Sequence, residues 1–103
     1  MIFLTVGTQL PFDRLTSTVD AWCAEVGSGS KIFGQIGRLG VRNYRPQHFQ
    51  WAEKVAPADF DRYFREASLI VSHAGMGSII TAMASSKPIV ILPRRVHLQE
   101  QRN

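Results

Sequence analysis

Residues 67–93 read ASLIVSHAGMGSIITAMASSKPIVILP, and this stretch decides the fold. SLIVS (68–72) is a short apolar, β-branched run of the kind buried on both faces of a sheet. Gly75 and Gly77 interrupt it. Met76, Ile79, Ile80, Met83 and Ala84 then recur at helical spacing and predict an amphipathic helix. KPIVILP (87–93) is a second buried run. Strand, glycine turn, helix and strand in succession form one βαβ unit, with parallel strands and a right-handed crossover.

The same alternation runs back to the N-terminus. IFLTV (2–6) predicts a buried strand that stops at Gly7. Phe12, Leu15, Val19, Trp22, Cys23 and Val26 form the apolar stripe of a helix. Pro11 suits its first turn, and GSGS (27–30) ends it. KIFGQIG (31–37) predicts a second strand, interrupted by Gly34, and FQWAEKV (49–55) has room for a short third one. Asp59 is placed to N-cap a helix carrying Phe60, Tyr63, Phe64 and Ala67. The expected fold is α/β: a Rossmann-like parallel sheet with flanking helices.

The totals narrow the function classes. A chain of 103 residues with 45% apolar content makes one globular domain with a real core. No apolar run approaches the roughly 20 residues of a membrane span, and MIFLTVG is too short to read as a signal peptide. The single cysteine, Cys23, has no internal disulfide partner, which fits a reducing cytosol. The net charge of +4 favours anionic partners, phosphates among them. Nucleic acid fits poorly: most of the ten aromatic residues fall on buried stripes, and there is no RNA-recognition motif.

In a parallel sheet, ligands bind where strands pass into helices at their carboxyl ends. Two loops have suitable chemistry. VGTQLP offers Gly7, Thr8 and Gln9; SHAGMGS offers His73 and the main chain of Gly75 to Ser78. A helix N-terminus has unpaired N–H donors and partial positive charge, and glycines allow a phosphate close to it. Glycine spacing alone is equally compatible with a tight turn that holds no ligand. A dinucleotide fingerprint fails, because Ile80 stands where a third glycine belongs and the later acidic residue is missing. A Walker loop fails for want of Gly-Lys-Ser/Thr. His48, His73 and His97 have no metal-ligand spacing, so no metal is expected. His73 is either a packed strand-end imidazole or a donor to a phosphate oxygen.

SHAGMGSIITAMASSKPIVILPRRVHLQEQRN, together with IFLTVGTQLPFDRL, resembles the small catalytic subunits of two-component UDP-sugar glycosyltransferases. These match the C-terminal half of glycosyltransferase family 28, and the bacterial exopolysaccharide type is the more similar. The resemblance implies half of a two-domain GT-B architecture, with residues 1–103 as a single nucleotide-sugar-binding domain. It further implies a UDP-sugar donor with no other cofactor, a lipid-linked acceptor and a membrane-anchored partner subunit. That partner would recruit this subunit from the cytoplasm to the membrane's cytoplasmic face.

By position, Gly7, Thr8 and Gln9 match the first donor loop, and His73, Ala74, Gly75, Met76, Gly77 and Ser78 the second. Val55 and Ala56 fall where the family's main chain meets uracil, and Arg94 and Glu100 lie near the donor. Two departures stand out. Thr81 occupies the place of a ribose-binding glutamate, and the pattern continues past Asn103, so the chain reads as shortened. Both leave room for a non-catalytic, nucleotide-binding or regulatory module. No residue reads as the general base, a role the resemblance leaves to the partner.

Overall fold

The computed structural model describes residues 1–7, 10–27, 31–73 and 86–94. Within them lie β1 (Ile2–Thr5), α1 (Asp13–Val26), β2 (Ile32–Gln35), β3 (Gln50–Ala52), α2 (Pro57–Glu66), β4 (Leu69–His73) and β5 (Ile89–Leu92). The strands form one parallel sheet in the order β3-β2-β1-β4-β5. This is the expected Rossmann-like α/β layer. The predicted helix between β4 and β5 lies outside the described residues.

The order contains one reversal. From β1 the chain steps outward through β2 to β3, then returns to place β4 on the other side of β1. Ile2 pairs with Ile32 on one side and with Leu69 on the other. The crevice at the carboxyl ends of β1 and β4 is therefore the switch point of the sheet, where open α/β folds bind ligands.

Alternation along the strands divides the core in two. Leu4, Phe12, Leu15, Cys23, Ile32, Ile36 and Phe49 pack together on the α1 side. Phe3, Phe64, Ala67 and Ile70 pack on the α2 side, against Phe33, Phe60 and Tyr63. There Tyr63 stacks on Phe33 at 4.4 Å and 10°, and Phe60 meets Phe3 edge-on at 5.3 Å. Such pairs contribute about 0.5–1.5 kcal/mol each beyond their area.

Helix ends follow local chemistry. Gly27 closes α1 at φ 68°, donating its N–H to the Cys23 carbonyl at 2.8 Å. Helix α2 begins earlier than the Asp59 cap predicts. Pro57 occupies the first helical position after an extended Ala56, and Asp59 sits in the first turn. At the other end, Lys87 Nζ donates to the carbonyls of Arg65 and Ala67, both at 2.6 Å, where a cation suits the helix dipole.

Two readings of the α1 stripe change. Trp22 and Val26 are exposed, at 45% and 50%. The buried positions are Leu15, Thr16, Asp20 and Cys23, so the inward face of α1 is turned toward β2 and the 44–49 segment. Asp20 is the reason. Its buried carboxylate accepts the Tyr44 hydroxyl and the main-chain N–H groups of Gln47 (3.1 Å) and His48 (2.7 Å). These bonds staple α1 to the segment that leads into β3.

Gly34, expected to interrupt β2, lies within it, paired to Leu4 and Trp51. A Cβ there would stand 2.9 Å from Phe49 Cε2, so the glycine makes room for a core ring. Phe49 is buried and Trp51 half-buried, its Nε1 donating to the Pro46 carbonyl at 3.0 Å. Both are core residues.

Candidate functional site at the strand carboxyl ends

Strand β1 delivers Gly7 and β4 delivers His73 to the two sides of the switch-point crevice. Thr5 pairs with Ser72, so the residues just beyond them come side by side. Gly7 has φ 91°, a conformation that suits glycine. A Cβ on it would lie 3.6 Å from His73 Cε1 and 3.9 Å from Nε2. The two residues predicted from separate loops thus meet.

His73 is partly buried, and its Nδ1 is a buried atom with no hydrogen-bond partner among the described residues. The atoms of the ring that face Gly7 are Cε1 and Nε2. Burial pushes the imidazole below its ordinary value, and the Arg94 guanidinium acts in the same direction; the Thr5 main chain opposes them. The neutral form is therefore favoured, with one nitrogen that donates and one that accepts.

Arg94 leaves the end of β5 and reaches over the end of β4 to the loop after β1. Its Nη2 donates to the carbonyls of Val6 and Leu10, both at 2.7 Å, and its Nη1 to Pro11 at 2.9 Å. The guanidinium lies 4.8 Å from the centroid of the buried Phe12 ring. Arg14 approaches the same ring at 5.2 Å and donates to the Pro93 carbonyl at 2.8 Å. Both guanidinium groups are thereby held against the Phe12 ring, next to the ends of β1 and β5.

Val55 and Ala56 follow β3, farther along the same edge. The Val55 N–H is donated to Gln35 Oε1 at 3.0 Å, and the Ala56 carbonyl accepts the N–H of Phe60. Thr8, Gln9, Ala74, Gly75, Met76, Gly77, Ser78 and Glu100 lie outside the described residues.

Two contributors escaped the sequence reading. Gln35 is buried, with its Nε2 3.5 Å from Thr5 Oγ1 and its Oε1 on Val55, so one amide connects the ends of β1 and β3. An amide inside the apolar run KIFGQIG was the available signal. Gly37 is the other. At φ 84°, its missing Cβ would stand 3.2 Å from Pro11 N and 3.3 Å from Leu10 O. The Leu10–Pro11 peptide is therefore packed against Gly37 and bonded by Arg94.

Comparison with known proteins accords with the fold. All of residues 1–103 match the model described as glycosyltransferase family 28 C-terminal domain. Over 93 residues the chain is 29% identical to zeaxanthin glucosyltransferase of Pseudescherichia vulneris, covering 89% of this chain and 22% of that protein. It thus spans about a fifth of the length of the curated relative it matches. No solved structure matches the chain.

Proposed function

The chain belongs to the glycosyltransferase family 28 C-terminal domain family, and on that premise we propose that it forms the donor-binding part of an enzyme that uses a UDP-sugar. Sugar transfer in general is supported by the family and by the glucosyltransferase relative. The observation that carries the finer reading is the meeting of Gly7 and His73 across the switch point, beside Arg94 and Arg14. Glycine permits close approach of an anion, the Nε2 side of the His73 imidazole faces the same space, and the guanidinium groups supply the field.

In this reading the donor diphosphate occupies that crevice. Thr8 and Gln9 follow Gly7 in the chain, and Ala74 to Ser78 follow His73, so the same two loops complete the donor site. Negative charge grows on the diphosphate as the anomeric bond breaks. Fixed donors and cations stabilise that charge without rearranging. Val55 and Ala56 serve the base, and Arg94 and Glu100 flank the donor. The acceptor is lipid-linked, as in exopolysaccharide assembly. A membrane-anchored partner holds it at the cytoplasmic face and supplies the group that deprotonates it. Among the described residues, no helix is long and apolar enough to cross a membrane.

Isothermal titration of the protein with UDP is the direct test. Saturable binding that weakens for UMP and uridine is expected, since each removes phosphate charge from the crevice. Equal affinity for UDP and uridine, or no binding of either, overturns the proposal.

A further inference from the structure

We propose that Arg94 is a positioning residue that orients the first donor loop, acting on the diphosphate through that loop. This rests on the donor-site reading above. The guanidinium collects three main-chain carbonyls, from Val6, Leu10 and Pro11, at 2.7–2.9 Å. A carbonyl oxygen repels a phosphate, whereas an amide N–H attracts one. Because the peptide group is planar and trans, its C=O and N–H point in opposite directions. Drawing the Val6 carbonyl toward Arg94 therefore turns the Gly7 N–H away from it. Within the described residues that N–H meets only Thr5 Oγ1, at a long 3.5 Å. It remains available for a better acceptor.

The surroundings make the clamp rigid. Gly37 backs the Leu10–Pro11 peptide: a Cβ there would stand 3.2 Å from Pro11 N, closer than ordinary contact, and its φ of 84° suits glycine. The buried Phe12 ring lies 4.8 Å from the guanidinium carbon. The strap joins the exits of β5 and β1 across β4, a span of two strand spacings, about 10 Å. A lysine has the charge but not the planar fork of donors that reaches several carbonyls at once. Charge and loop geometry can thus be separated by a single substitution.

The experiment compares the unsubstituted protein with Arg94→Lys and Arg94→Gln. Three quantities are read: UDP affinity by titration, amide exchange by NMR, and Tm. Both variants are expected to lose UDP affinity by about tenfold or more, because the loop must be ordered on binding. Faster exchange of the Gly7 and Leu10 amides should accompany the loss, with Phe33 and Gly34 in β2 unchanged. Those β2 amides show that the fold is intact. Unchanged UDP affinity in Arg94→Lys, with the loop loosened, overturns the positioning role and leaves the donor reading standing. Lost affinity with loop exchange unchanged also overturns it, since Arg94 then acts on the diphosphate directly. Failure of the unsubstituted protein to bind UDP sinks the donor reading, and this role with it.

Discussion

At the residue scale, His73 joins the fold to the proposed chemistry. Its imidazole sits at a strand end, beside Gly7 and under the influence of Arg94, and both burial and that cation disfavour the protonated form. The native state therefore holds its proton less firmly than the unfolded chain. His73 contributes to stability in full above its ordinary value of 6.5, and that contribution is lost as pH falls below it toward the lowered native value. Imidazole NMR should show His73 neutral at pH 7 with its titration midpoint below 6.5, and His73→Gln should flatten the decline in stability below pH 6.5. A midpoint at or above 6.5 would refute the assignment. That His73 and Gly7 stand at strand ends was legible in the sequence because each closes an apolar run. Gln35 was not singled out: an amide inside the apolar run KIFGQIG was a signal, but its bonds to Thr5 and Val55 show what it does only once the strands are placed. The role of Arg94 was hidden for the same reason: its carbonyl partners are 83 to 88 residues away in sequence.

At the scale of elements, strands and helix α1 were readable from apolar runs and periodicity, to within a residue or two. The start of α2 was not, because Pro57 at the first helical position outcompetes a side-chain cap at Asp59. Gly34 was read as a break because spacing does not reveal what lies above a strand; the Phe49 ring fills that space. Gly34→Ala should therefore lower stability by about 1–3 kcal/mol, through overpacking alone, measurable as a fall in the urea midpoint. A neutral outcome would show that Phe49 has room to move. The staple at Asp20 makes an opposite kind of demand. Burial pushes the carboxyl up, but the Tyr44 hydroxyl and the N–H groups of Gln47 and His48 outweigh it and hold it below the ordinary range. Such a group stabilises the native state above its unfolded value, and the contribution is lost as pH falls through the lowered native one. Asp20→Asn should cost about 1–3 kcal/mol at pH 7 and make stability less sensitive to acid. Equal acid sensitivity in the two proteins would exclude the staple.

At the scale of the whole molecule, α1 lies over β1 and β2, and among the described residues nothing covers the same side of the sheet toward β5. The exposed Trp22 belongs to that geometry. With Ile2, Val19, Val71 and Leu92 it lines an apolar groove of about 410 Å³ between α1 and the β4–β5 half of the sheet. The stripe Phe12–Val26 predicted a helix face that is apolar, but not that Trp22 and Val26 on it would be exposed. Strand order has a further effect. Ile2 pairs with Leu69, so the central strand acquires its second neighbour only by closing a loop of some 67 residues, a slow and entropically costly step. During synthesis β1 emerges well before β4, so its far edge stays uncovered until the chain has been made through His73. The crevice between β1 and β4 therefore cannot form before some seventy residues separating their ends have left the ribosome.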